Sequence, residues 1–367
     1  MRGVLKSVFS LSGLIASAVL VLIMVAIFLL FQVLPFFKPL FRLAMTVLFP
    51  LFLAVVVAYL LHPVVDMLTK LRLRRSLAIL VVYVLFFGGI LLFGWLLFPL
   101  LTVQVREMMA RLPEYEDQLR QWYYLIDHRL EQLPSGIHQA VDRAIGNFES
   151  GVSSWITRLF TSLSGLPSQA VTVLVVPFFA FYLLKDVEKI HSLLLRLLPR
   201  SKRKVFLRVI RDIDRNLGEY IRGQLLVCLF VGVMAFMGYY LIGLPYALLL
   251  GVVVGVMNII PYFGPILGTV LSGSVALLTE PRLVIWIVFI NIFIQITEGN
   301  FLNPYIVGKR LRLHPMLIII ILLIGAEVGG LMGLLFAVPL FVIFKVIVVN
   351  SLVNMYRTAR IDKLPHQ

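Results

Sequence analysis

Cysteine is almost absent from this chain, since its 367 residues include a single one, Cys228. One cysteine can form neither an intramolecular disulfide nor a cysteine-based zinc site. Charged residues are also scarce, at 14% of the chain against 60% for hydrophobic residues. This supply of polar residues is too small to cover a water-soluble globule. The composition therefore predicts an integral membrane protein.

The sequence motifs of common enzymes are missing as well. The chain has no HExxH metal motif, no nucleophile elbow, no CxxC pair and no dinucleotide fingerprint. Gly308 and Lys309 are followed by Arg310, so the serine or threonine of a P-loop is lacking. We therefore expect no enzyme activity and no cofactor, and the lack of ATP-binding motifs favours a secondary transporter or a channel over a primary pump.

Long apolar runs are what the sequence has in abundance. Runs of about 18 or more apolar residues are typical of helices that cross roughly 30 Å of hydrocarbon, whereas the strands of membrane barrels alternate. Two runs, 246–279 and 316–349, are each about one and a half spans long. Six runs have about the length of one span: 14–34, 40–61, 76–100, 166–184, 224–242 and 283–302. The fold class predicted is an all-α polytopic membrane protein.

The two longest runs allow two topologies. Basic residues in short loops mark the cytoplasmic side, and they are frequent at 70–75 and at 185–222. If both runs crossed the membrane once, giving eight spans, the basic loop around Lys309 would lie outside. If each run dips in and returns, that loop and both termini are cytoplasmic. We favour the second topology, with about six full spans and two re-entrant helical hairpins.

Charge and pattern divide the chain into five regions. The segment at 101–165 is the only acidic stretch of any length, and its apolar residues have helical spacing. The net charge of +15 comes from cytoplasmic loops, where orientation and anionic lipid explain it, so nucleic-acid binding is not expected. The regions are a three-span region at 1–100, an extracytoplasmic amphipathic segment at 101–165, a fourth span with a basic loop at 166–222, a transport core at 223–349 and a cytoplasmic tail at 350–367.

The C-terminal third contains an inverted repeat in the favoured topology. A span and a dip at 224–279 are followed by a span and a dip at 283–349, entered from the opposite side. Interrupted segments at matching places in two halves indicate a transporter's central site, although proline and glycine are also simply common in membrane helices. The predicted breaks are at Pro261, Gly264 and Pro265 in the first dip and at Gly325, Gly329, Gly330 and Gly333 in the second.

Polar residues inside apolar runs are the candidate binding groups. Asn291, Gln295 and Glu298 are spaced to share one helical face, and a carboxylate at membrane depth normally faces a cavity or a partner. The alternative is that this stripe forms hydrogen bonds between helices. Glu327 in the second dip is a further candidate for cation or proton binding, or else a hydrated tip. Neutral candidates near the breaks are Asn258, Tyr262, Asn300 and Asn303.

Several separate motifs follow one another between about residues 218 and 339. They are Gly223-Gln224-Leu225-Leu226, Gly243-Leu244-Pro245-Tyr246-Ala247-Leu248, Asn258-Ile259-Ile260-Pro261-Tyr262-Phe263-Gly264-Pro265, Glu298-Gly299-Asn300, Asn303-Pro304, Gly308-Lys309, His314-Pro315 and Ala337-Val338-Pro339. In this order they resemble the AI-2E (autoinducer-2 exporter-like) transporter family. Toward the N-terminus the resemblance is limited to the hydropathy profile.

The resemblance implies a permease of the bacterial cytoplasmic membrane without ATPase domains. Members of the family are described as exporters of autoinducer-2, a quorum-sensing furanone, and others as sodium or lithium/proton antiporters. Carried over position by position, the resemblance points to Asn258, Pro261, Tyr262, Gly264, Pro265, Glu298, Asn303 and Pro315.

The expected function is secondary transport of a small polar solute, coupled to a proton or sodium ion, by a homo-oligomer in the lipid bilayer of the inner membrane. The first alternative is a Na⁺(Li⁺)/H⁺ antiporter in which Glu298 and Glu327 bind the ion. The second is a membrane scaffold that moves nothing and recruits a partner through its outer segment.

Overall fold

The computed structural model of the chain describes residues 48–111, 170–196, 203–307 and 314–361, with single positions within 18–25, 113–121 and 143–161 and at 199. The chain divides into two compact units, Met1–Leu53 and Ala54–Gln367. Most of the predicted first span at 14–34 and of the acidic segment at 101–165 lies outside the described residues. The basic loop at 308–313 lies outside them too.

All of the regular structure in these described ranges is helical. Among the described residues, five stretches are long and apolar enough to cross a membrane: Leu48–Lys70, Arg75–Ala110, Arg203–Leu241, Leu283–Ile306 and Met316–Asn350. This confirms the predicted all-α polytopic membrane fold. The helices are α1 (Leu48–Lys70), α2 (Arg75–Ala110), α3 (Ala170–Lys185), α4 (Val187–Arg196), α5 (Arg203–Leu241), α6 (Ala247–Met257), α7 (Phe263–Thr279), α8 (Leu283–Thr297), a π-helix (Glu298–Val307) and α9 (Pro315–Ile361).

Several helices extend beyond the predicted spans. Helix α2 continues past the predicted end at Leu100 to Ala110, and α5 begins at Arg203, well before the predicted start at Gln224. The first part of α5 carries many charged side chains, and its later part is apolar. Apolarity marks only the part of a helix that contacts lipid, while the helix itself can continue into water. The last part of the predicted basic loop and the fifth span are therefore one continuous helix.

The first long run forms a helical hairpin of α6 and α7. Helix α6 has 11 residues and spans about 17 Å, which is too short to cross the hydrocarbon layer alone. The chain reverses between Asn258 and Tyr262, where Tyr262 adopts a left-handed conformation with φ of 66°. A Cβ atom on Gly264 would lie 2.6 Å from the Val254 carbonyl oxygen, so the two arms touch next to the turn.

The second long run, α9, is also a hairpin. Gly330 interrupts it with φ of 58° and ψ of −136°, a conformation outside the helical region. In a straight helix the Cα atoms of Gly325 and Ala337 would be about 18 Å apart. A Cβ atom on Gly325 would instead lie 2.8 Å from the Ala337 Cβ, and a Cβ on Gly333 would collide with the Gly325 carbonyl oxygen. The chain thus reverses at Gly330, as one of the two predicted topologies requires.

Contacts at one end of the bundle bring the basic loops together. The Arg75 side chain donates through Nε to the Leu184 carbonyl oxygen at 2.9 Å, which joins α2 to the end of α3. Asn350 in α9 donates to the Asp212 carboxylate in α5 at 3.1 Å. Because Leu184 and Arg211 line one cavity, the start of α2, the end of α3 and the last part of α9 are at the same end of the bundle.

The opposite end joins α2 to the start of the first hairpin. The Gln104 side chain accepts a hydrogen bond from the backbone amide of Leu249 at 3.0 Å. That amide lies in the first turn of α6, where it has no partner within the helix. The hydroxyl groups of Tyr115 and Tyr246 are 3.4 Å apart in the same region. The chain that follows α2 thus lies against the connection between α5 and α6.

The re-entrant hairpin predicts a specific labelling result. Leu241 and Arg282 are exposed at the two ends of the segment that contains α6 and α7. Single cysteines at these positions, in a Cys228→Ser background, should both react with an impermeant thiol reagent from the same side of the membrane. Reaction of Leu241→Cys and Arg282→Cys from opposite sides would contradict the hairpin and favour a single crossing.

Candidate functional site

Glu298 is at the centre of the candidate site. Its side chain is fully buried, with 0% of its surface exposed. It stands where α8 changes into the π-helix Glu298–Val307. Stretches of π-helix are rare and are frequent at functional sites. A buried carboxylate in a membrane-spanning segment is costly, which makes this position a functional candidate by default.

One amide from another element binds the carboxylate, and a second amide supports the first. Asn258, at the turn of the first hairpin, donates from Nδ2 to Glu298 Oε1 at 3.2 Å. Gln224 in α5 donates from Nε2 to the backbone carbonyl oxygen of Asn258 at 2.6 Å. All three side chains are buried. The site is therefore built where α5, the hairpin turn and the junction of α8 with the π-helix meet.

Two oxygen atoms in this cluster are left without a hydrogen-bond partner among the described residues. They are Oε2 of Glu298 and Oδ1 of Asn258, and both atoms are buried. Most buried polar atoms in proteins have a partner, because desolvation without one is costly. A carboxylate and an amide oxygen are also the ligand types that hard cations prefer. A bound proton or a monovalent cation would satisfy this arrangement.

Tyr262 and Asn303 lie at the edge of the site. Tyr262 is half-buried, and its side chain interacts with Asn303 from the π-helix and with the Glu298 carboxylate. Its left-handed backbone, with φ of 66°, is uncommon for a residue that is not glycine. Such conformations persist where the surrounding structure holds them, and they cluster at functional sites. The site thus brings together four of the predicted residues: Asn258, Tyr262, Glu298 and Asn303.

The predicted breaks lie close to this cluster or in the second hairpin. Pro261, Gly264 and Pro265 are buried beside the turn of the first hairpin. A Cβ on Gly264 would lie 2.7 Å from the Asn258 Cβ, so only glycine leaves room for this asparagine. In the second hairpin, Gly325 and Gly333 touch each other across the reversal at Gly330. Gly329 directly precedes the reversal.

Asn291 belongs to a separate polar contact. The Tyr239 hydroxyl in α5 donates to Asn291 Oδ1 at 2.9 Å, and Asn291 Nδ2 donates to the Ile287 carbonyl oxygen at 2.9 Å. The oxygen of this amide therefore joins α5 to α8, and its nitrogen bonds within α8. This is the alternative that the sequence left open, hydrogen bonding between helices.

The other predicted side chains are exposed. Gln295 and Asn300 are exposed, although they are close to Glu298 in sequence. At 100° per residue, Gln295 lies about 60° around the helix from Glu298, which is enough to turn it out of the site. The predicted stripe is therefore not one continuous lining. Glu327 is exposed three residues before the reversal at Gly330, and its role in ion binding stays a prediction.

Sequence reasoning missed Gln224 and Cys228 as site residues. Gln224 supports the Asn258 backbone, and the Cys228 thiol lies one turn further along α5, close to Gln224 and Glu298. One signal for Gln224 was present, because it is a lone amide at the start of an apolar run. Nothing in the local pattern links it to residues 34 and 74 positions later in the chain.

Proteins of similar sequence are known from several bacteria. Residues 19–352 match the family described as "AI-2E family transporter". The chain is 35% identical to the "Putative transport protein YrrI" of Bacillus subtilis, over 91% of this chain and 95% of that protein. It is 30% identical to the "Putative permease PerM" of Escherichia coli, over 82% of this chain and 86% of that protein. The relatives are described as transport proteins or permeases and not as enzymes. The chain belongs to the AI-2E transporter family and is a multi-pass membrane transporter.

Proposed function

We propose that the chain is a secondary transporter that couples the movement of a small polar solute to a proton or sodium ion bound at Glu298. The observation that carries this proposal is the buried Glu298 carboxylate, which receives one hydrogen bond from Asn258 and has one oxygen without a partner among the described residues. A carboxylate in such a place is stable when a proton or a cation neutralises it. Binding and release of that ion would provide the coupling.

The two hairpins supply the moving parts of this proposal. Ile260, in the turn of the first hairpin, packs in one apolar cluster with Leu322 and Val338 from the two arms of the second hairpin. Asn258, two residues earlier, contacts Glu298. A shift of one hairpin against the other would therefore alter the surroundings of the carboxylate. Interrupted helices that meet at a central site are the usual setting for alternating access.

Neutral hydrogen-bonding groups suit a small polar solute beside the carboxylate. The side chains available are those of Asn258, Tyr262 and Asn303, with the unpartnered Asn258 Oδ1 as an acceptor. We propose autoinducer-2, or a solute of similar polarity, as the substrate. The support for this particular solute is the family name, together with a site that is neutral apart from one carboxylate.

A second candidate function is Na⁺(Li⁺)/H⁺ antiport. The observation that favours it is the pair of unpartnered oxygens, Glu298 Oε2 and Asn258 Oδ1, which match the ligands of a hard cation. In this case the cation itself is the substrate, and it competes with the proton for the same carboxylate.

A tracer assay with the purified chain in proteoliposomes separates the two candidates. Labelled autoinducer-2 is supplied under an imposed pH gradient and under an imposed sodium gradient, and labelled sodium is supplied under the pH gradient. Autoinducer-2 uptake that follows either gradient supports the solute transporter, and sodium uptake without autoinducer-2 uptake supports the antiporter. Absence of both would contradict the assignment of these substrates.

A further inference from the structure

A cavity lies between α1, α3, α4 and α5, away from Glu298. Its volume is about 660 Å³, which is within the usual range for small-molecule sites. The residues that line this cavity do not include Glu298, Asn258 or Gln224. It occupies the end of the bundle where the basic loops meet, next to the contact between Arg75 and Leu184.

The α1 and α3 walls of this cavity are mainly apolar. Val55 and Ala58 line it from α1, and Leu183 and Leu184 line it from α3. Helix α3 ends at Lys185, directly after these leucines. The cavity is therefore at the level where membrane-spanning helices leave the apolar layer, and part of its surface suits an acyl chain.

The α5 wall carries the charge. Arg211, Arg215 and Arg222 line the cavity against a single acid, Asp214. The Asp214 carboxylate accepts a hydrogen bond from the Tyr59 hydroxyl at 2.7 Å. Three arginines and one aspartate line this wall, so the wall has an excess of positive charge.

The three arginines differ in how much they are already engaged. Arg222 donates to the Tyr59 carbonyl oxygen at 3.1 Å, so it helps to hold α5 against α1. Arg215 pairs with Glu219 at 3.2 Å, which reduces its contribution. Arg211 is exposed at the cavity and lies one turn before Arg215 on the same helix. Arg211 is thus the residue best placed to meet an anion.

We propose that this cavity binds an anionic phospholipid, with the phosphate beside Arg211 and Arg215 and the acyl chains along Val55, Ala58 and Leu184. Guanidinium groups match phosphate oxygens in a two-pronged geometry. Basic pockets between membrane helices bind acidic headgroups. A free anion would use the arginines but gain nothing from the apolar walls, whereas a lipid uses both.

Native mass spectrometry of the purified, delipidated full chain tests this proposal. The chain is titrated with phosphatidylglycerol and with phosphatidylcholine of the same acyl chains. Phosphatidylglycerol should bind more tightly, and Arg211→Gln should weaken its binding about fivefold, the effect expected for one basic residue near a lipid headgroup. The matched control is Arg208→Gln, an exposed arginine of the same helix that does not line the cavity, which should leave binding unchanged.

A second variant tests the cavity without changing any charge. Ala58→Phe fills the apolar part and should also weaken phosphatidylglycerol binding, while inorganic phosphate at the same concentration should not displace the lipid. The proposal is overturned by equal affinities for the two lipids, by equal losses in Arg211→Gln and Arg208→Gln, or by displacement with phosphate. The melting temperature of each variant in phosphatidylcholine shows whether the variant is folded. If Ala58→Phe does not fold, the comparison of Arg211→Gln with Arg208→Gln decides the proposal.

Discussion

Replacing Glu298 with glutamine is expected to abolish gradient-driven accumulation of the transported substrate while leaving the chain folded. Glutamine keeps the size of the side chain and an oxygen that can accept the 3.2 Å hydrogen bond from Asn258. It also removes the need to neutralise a buried carboxylate, so the folded state should not be destabilised. A glutamine cannot bind and release a proton, and it is a poor substitute for a carboxylate as a cation ligand.

Accumulation and exchange should respond differently in this variant. Accumulation against a gradient requires coupling, whereas exchange of labelled for unlabelled substrate requires only that the site can face both sides. We expect the accumulation ratio of Glu298→Gln to fall to about one, with exchange retained if the coupling ion is a proton. The matched control is Glu280→Gln, which makes the same change at an exposed position between α7 and α8 and should accumulate substrate normally. Normal accumulation by Glu298→Gln would contradict the coupling role.

Gly264→Ala is expected to have the second largest effect. The added Cβ would lie 2.6 Å from the Val254 carbonyl oxygen, 2.7 Å from the Asn258 Cβ and 2.9 Å from Asn258 Oδ1. Backbone atoms cannot move aside as a flexible side chain can, so the hairpin arms must separate. Overpacking of this kind typically costs about 1–3 kcal/mol. Because Asn258 is displaced as well, its hydrogen bond to Glu298 should be lost and transport should fall.

Gly273 provides a control on the same helix. It is buried in α7, but a Cβ there would meet no atom within 4 Å. Gly273→Ala should therefore be neutral or stabilise the helix by up to about 1 kcal/mol. Thermal unfolding and substrate exchange are measured for both variants. Equal melting temperatures and equal exchange in Gly264→Ala and Gly273→Ala would refute the close contact at the hairpin turn.

The interrupted segments could be predicted because their signal is local. A run of 34 residues is too long for one span and too short for two, and proline and glycine mark the place where the helix must stop. Both hairpins follow from this, with reversals near Tyr262 and at Gly330. Glu298 could be found for a similar reason, since a lone acid in an apolar run is conspicuous whatever its neighbours are.

Contacts between distant parts of the chain could not be predicted in this way. The hydrogen bond of Gln224 to Asn258 and that of Tyr239 to Asn291 depend on how α5 packs against the hairpin and α8. Helical spacing predicts which residues share a face, but it does not say which part of that face meets a neighbour. Gln295 shows the difference, because it shares a broad face with Glu298 and is nevertheless exposed.

The measurement closest to the central claim is proton movement through the purified chain. A pH-sensitive dye is trapped in proteoliposomes, and a gradient of autoinducer-2 or of sodium is imposed across the membrane. Proton coupling at Glu298 predicts that one of these gradients changes the internal pH with the unaltered chain and not with Glu298→Gln, whereas sodium coupling predicts that the autoinducer-2 gradient drives labelled sodium with the same dependence on Glu298. An ion movement of the same size in both proteins, or neither a pH change nor sodium movement with the unaltered chain, would contradict ion-coupled transport through this site.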